Sequence, residues 1–100
     1  MLTLLALASC LPDVSTETSE IEARAILQSE MRDLCRDQLS AVAWDRVLAT
    51  IRDATIRPTR DYWEFKITPS AAAGELEVLV FPSTLVYGSY LEYMESWVCK

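Results

Sequence analysis

The chain contains no histidine, and that single absence removes most of the chemistry a small protein can perform. The side chain that titrates near neutral pH is missing. So is the base that activates a serine or cysteine nucleophile in the common triads. Most transition-metal sites are lost with it. The two glycines, Gly74 and Gly88, are too far apart for a G-x-x-x-x-G-K-[ST] phosphate loop and too few for a G-x-G-x-x-G, and neither pattern occurs. No D-x-D-x-D-G calcium loop is present. Carboxylates remain. Glu75 and Glu77 share one strand face, and Glu92 and Glu95 share one face if their segment is helical. Acid pairs that cleave glycosidic bonds come from different elements flanking a cleft. Carboxylates two or three positions apart on one element read instead as a solvated face, so no catalytic residue and no metal ligand is assigned.

The chain has three cysteines, Cys10, Cys35 and Cys99, an odd number that needs an explanation. The first closes the apolar run Met1-Leu2-Thr3-Leu4-Leu5-Ala6-Leu7-Ala8-Ser9-Cys10. Ten residues are far too few to span a bilayer, which takes about 20. They suit the apolar core of a signal peptide, roughly 7–15 residues long. Leu7-Ala8-Ser9-Cys10 resembles the lipobox of bacterial lipoprotein precursors, a branched apolar residue and two small ones ahead of the modified cysteine. The resemblance covers the leader only. It implies removal of residues 1–9, diacylglyceryl on the Cys10 sulfur, an acylated new amino terminus and a periplasm-facing position in the cell envelope. Leu rather than Asp at position 11 favours the outer membrane on the same resemblance. The alternative is an N-terminal helix or strand in which Cys10 is an ordinary core cysteine.

With one cysteine lipidated, two remain. In the oxidising compartment that a lipoprotein leader implies, Cys35 and Cys99 form the natural disulfide. The alternative is a pair of buried free thiols. A redox-active pair is disfavoured because no C-x-x-C occurs.

A hundred residues hold one domain. Apolar residues at 51% and charged residues at 24% give a globular balance, and four prolines and two glycines leave no linker inside it. The net charge of −6 disfavours nucleic acid and permits a protein partner with a basic surface. No cofactor is implied.

Residues 10–18 read as the lipidated cysteine and a short polar tether, and residues 19–100 as one α+β domain. Ser19-Glu20-Ile21-Glu22 fits a capping box that opens a helix. Strong helix formers then run to about Ala54 without Gly or Pro. Leu27, Met31, Leu34, Cys35, Leu39 and Val42 fall on one face, and Trp44, Val47, Leu48, Ile51 and Ala54 on another rotated by roughly 150°. A straight helix cannot bury both, so a break or kink is expected between Asp37 and Trp44, with Ser40 as the cap. Pro58 ends the helical region. In Asp61–Thr68, Trp63, Phe65 and Ile67 alternate with Tyr62, Glu64 and Lys66, the pattern of a half-buried strand. Glu75–Phe81 is a second strand, bounded by Pro82. The tail has two readings. Gly88-Ser89 makes a hairpin turn between strands Leu85–Tyr87 and Tyr90–Cys99, or Ser89-Tyr90-Leu91-Glu92 caps a helix. The strand reading is adopted, because three strands bury a sheet face better than two. The expected architecture is two N-terminal helices, or one kinked helix, packed on a small antiparallel sheet of three to four strands.

Tyr87, Tyr90, Tyr93 and Trp97 crowd one short stretch. Tyr and Trp favour partner surfaces and small cores alike. They are the candidate partner surface, with core packing as the competing reading. The sequence thus points to a membrane-anchored envelope lipoprotein carrying a non-enzymatic binding or assembly module. The variants are an acidic inhibitor or immunity-type protein, and a carboxylate-dependent envelope hydrolase.

Overall fold

The computed structural model describes residues 12–99, apart from the side chains of Asp37 and Trp97. The expected leader, the expected lipidation site Cys10 and the side chain of Trp97 therefore lie outside the described residues.

Helix α1 spans Glu20–Cys35. The Ser19 hydroxyl accepts from the Glu22 amide at 3.1 Å, and the Glu22 carboxylate accepts back from the Ser19 amide. This is the expected capping box. The break also falls where the change of hydrophobic phase demands it. A single 3₁₀ turn, Arg36–Gln38, ends α1. The Ser40 hydroxyl then accepts from the Ala43 amide, and helix α2 runs Ala41–Arg52. Each helix buries its own stripe: Ala23, Leu27, Met31 and Cys35 on α1, and Ala43, Val47 and Ile51 on α2. Val42, placed with the α1 face by periodicity, is 68% exposed, because the break at Ser40 resets the phase.

Four strands follow: β1 Thr55–Pro58, β2 Trp63–Ile67, β3 Leu76–Val80 and β4 Val86–Gly88. They form one antiparallel sheet in chain order. The alternation in β2 sorts as expected, with Trp63, Phe65 and Ile67 buried and Lys66 exposed. Val78 and Val80 of β3 and Val86 of β4 complete the inner face against the helices. β1 was not foreseen, since Pro58 sits within it. Proline cannot donate to a ladder and is tolerated only at an edge, the place β1 occupies.

The tail corrects the strand reading. Ser89–Tyr93 is a short helix, α3, continued by a π turn over Met94–Val98. Gly88 causes the change of course. Its φ is +147° and a Cβ there would press on Glu77 and on Val78 Cα at 2.8 Å. The Ser89 hydroxyl, instead of capping α3, accepts from the Glu77 amide at 3.1 Å. The chain then leaves the sheet and lays Tyr90 and Met94, one helical turn apart, into the core. In the π turn the Cys99 amide donates to Met94 O five residues back. Cys99 thus lies on the buried side and bonds to Cys35, with the Cα atoms 5.0 Å apart, within the normal range for a disulfide.

The segment read as a tether has structure of its own from Val14 onward. Val14–Thr16 is a 3₁₀ turn and Val14 is buried. The Val14 amide donates to Thr59 O at 2.8 Å, and Trp63 Nε1 donates to Thr18 O at 2.9 Å. A valine offers enough apolar surface to dock, and two ordered hydrogen bonds hold the segment on the sheet.

One arginine ties three elements together. From α1, Arg24 donates to Ile51 O at the end of α2, pairs with Glu20 at 3.0 Å, and lies over the Phe65 ring at 5.7 Å. Carbonyls at a helix C-terminus lack intrahelical donors, and a guanidinium satisfies them.

Candidate functional site

The candidate site is the sheet face turned away from the helices, where register decides which side chains meet. Arg57 pairs with Glu64, Glu64 with Leu79 and Leu79 with Tyr87 across the four strands. Continuing the same register one step beyond the strand ends brings Tyr62 opposite Phe81. Phe81 in turn is tied to Leu85, whose carbonyl accepts from its amide at 2.9 Å. The ring centroids of Tyr62 and Phe81 are 5.3 Å apart, and those of Phe81 and Tyr87 are 6.0 Å apart, edge to face. Both spacings are favourable for aromatic pairs.

This end of the face is apolar and open: Tyr87 is 56% exposed and Leu85 50%. The other end is charged. Lys66 lies 3.7 Å from Glu75 and 4.0 Å from Glu64, and Arg57 pairs with Glu64 at 3.0 Å. Charges paired with one another thus lie at one end of the face and a cluster of aromatic rings at the other.

The residues proposed from sequence divide. Tyr87 belongs to the patch. Tyr90 does not: at 1% exposure it is a core residue, and burial pushes its phenol up to about 12. Tyr93 stacks on it, ring centroids 6.4 Å apart, and is half-buried. The helical tail turned these rings inward. Sequence reading missed Tyr62, Phe81 and Leu85. Tyr62 had been placed on the outer face of its strand, but only register joins it to Phe81.

The carboxylates do not converge. Glu75 and Glu77 are exposed at one end of the sheet, and Glu92 and Glu95 are exposed on the tail helix. Asp13 and Asp53 are held below the usual carboxylate range, by hydrogen bonds from Ser15 and Arg52 respectively. A carboxyl serving as general acid needs the opposite shift. Among the described residues no group of three or more Cys, Asp or Glu is placed to hold a metal ion, and no helix is long and apolar enough to cross a membrane. Comparison with protein families, curated proteins and solved structures finds no match to this chain.

Proposed function

We propose that the protein is an envelope lipoprotein, anchored through lipid on Cys10, whose domain is a non-enzymatic binding module. The aromatic end of the outer sheet face is its docking surface, and the partner is a protein with a basic surface. The observation that carries the reading is the exposure of Tyr87 and Leu85 beside the Tyr62–Phe81 pair, on a sheet face that no element of the described chain covers. Large exposed apolar groups gathered in one place mark interaction sites, whereas scattered ones do not. The acidic balance of −6 selects for a basic partner and speeds its approach. The bond between Cys35 and Cys99 agrees with the oxidising compartment that the leader implies.

The test has two arms. Cells fed a fatty-acid analogue should label the wild-type protein and not Cys10→Ser; an unlabelled wild type removes the anchor. Envelope pull-downs should compare the wild type with Leu85→Ser/Tyr87→Ser, which changes only exposed side chains. Partners retained equally by both proteins would place the docking surface elsewhere.

A further inference from the structure

Four of the nine cations of this acidic chain are held in pairs: Arg24 with Glu20, Arg52 with Asp53, Arg57 with Glu64, and Lys66 between Glu64 and Glu75. Arg32 and Arg36 are placed differently. One helical turn apart at the end of α1, they line a cleft of about 890 Å³ at the joint between the two helices, together with Asp33, Leu39, Ala41 and Trp44. The Arg32 guanidinium lies over the Trp44 ring, 4.9 Å from its centroid. Stacking occupies a face of a guanidinium and not the edge that carries its hydrogen-bond donors.

Arg36 occupies the residue that ends α1, at φ +49°. With ψ at −129°, this is a backbone conformation that glycine adopts freely and that strains any residue with a side chain. A cation near a helix C-terminus is favourable on its own account, which suffices to explain Arg32. It does not explain why an arginine holds the strained residue. Across the joint, α2 begins at Ala41, which lines the same cleft. Asp33 on the rim offsets part of the positive charge and disfavours a polyanion.

We propose that this cleft binds one oxyanion group, a carboxylate or a phosphate. Arg32 and Arg36 grip it through their edges, and the small apolar or aromatic body that carries it rests on Leu39, Ala41 and Trp44. The cleft stands about 24 Å along α1 from Ser19, the end at which the chain enters the domain. It is therefore remote from that point of entry, and it is separate from the aromatic sheet face.

The full-length protein, held in detergent, is titrated with benzoate, phenyl phosphate and inorganic phosphate while the Trp44 indole and arginine side-chain resonances are followed. Benzoate or phenyl phosphate should give saturable shifts in the millimolar range, and the tighter of the two identifies the oxyanion. Inorganic phosphate should bind several-fold more weakly, since it lacks the body. Arg36→Gly should weaken binding by about tenfold or more, the loss of a charge-assisted bond, without lowering Tm, because it relieves the strain. Arg36→Lys, which keeps the charge and loses the planar fork, should also weaken binding and guards against a misfolded glycine variant. Shifts that fail to saturate with both aromatic probes, or an Arg36→Lys protein that binds like wild type, would overturn the proposal.

Discussion

Reducing the Cys35–Cys99 bond should destabilise the domain by about 4 kcal/mol. The two cysteines are 64 residues apart in sequence, and cutting a loop of that length releases about 14 cal/mol/K of chain entropy in the unfolded state. For a domain of this size the loss corresponds to a fall in Tm on the order of 20 °C. Little of the native packing need change on reduction, because Tyr90 and Met94 still bury the tail helix. The reduced protein should therefore keep its native near-ultraviolet spectrum at 25 °C and melt early. Both sulfurs are buried, so reduction should be carried out on unfolded protein that is then refolded under reductant. Calorimetric melts with and without reductant measure the difference, and Cys35→Ala/Cys99→Ala should be indifferent to reductant. A fall of less than about 5 °C would refute the entropic reasoning. Alkylation of both thiols in unreduced, denatured protein would refute the bond itself.

Two further outcomes follow from the core. Phe65 is fully buried at the centre of the sheet beneath Arg24, and Phe65→Ala should cost roughly 3–5 kcal/mol in urea unfolding; a cost below about 1 kcal/mol would mean the inner face is misassigned. Tyr90 gives a pH dependence. Its folded pKa of about 12 lies above the unfolded value of about 10, so the neutral phenol's contribution is complete below pH 10. Between pH 10 and 12 the unfolded chain ionises first, and stability should fall by roughly 1.4 kcal/mol per pH unit. Tyr90→Phe should flatten that slope, and an unchanged slope would show that another group is responsible.

What the sequence made legible is what depends on neighbours in the chain. The capping serines, the phase reversal between Leu39 and Trp44 and the alternation of Trp63, Phe65 and Ile67 are local patterns, and each predicts its element. The misreadings arose where a distant contact outweighs the local signal. Pro58 argues against a strand unless an edge is available, and the edge exists only once β2 lies beside it. Gly88 reads as a hairpin turn, yet its place is fixed by the close approach of β3. Val14 is one apolar residue in a polar stretch, and nothing local says that Thr59 will accept its amide. The candidate site shows the same limit. Tyr87 was visible because it stands in a run of aromatics, but the run does not share one surface, since Tyr90 turns inward. The rings that do surround Tyr87 come from 62 and 81, and cross-strand register alone makes them neighbours.

The docking of Val14 on Thr59 fixes the chain four residues after Cys10, which matters if Cys10 carries lipid as proposed. Between Cys10 and Asp13 the backbone can stretch about 10 Å at most, scarcely more than the thickness of a lipid headgroup layer. With acyl chains on Cys10, the domain would ride on its bilayer like a boat at a short mooring. It could drift and spin about the membrane normal but could not turn over. One flank would always look toward the lipid and the opposite flank toward the periplasm. Encounters would become a search in two dimensions, at a local concentration set by the thickness of that layer and not by the volume of the compartment. A partner held in the same layer would meet the sheet face at a restricted set of angles, and even a weak contact would be revisited many times before the two molecules drifted apart.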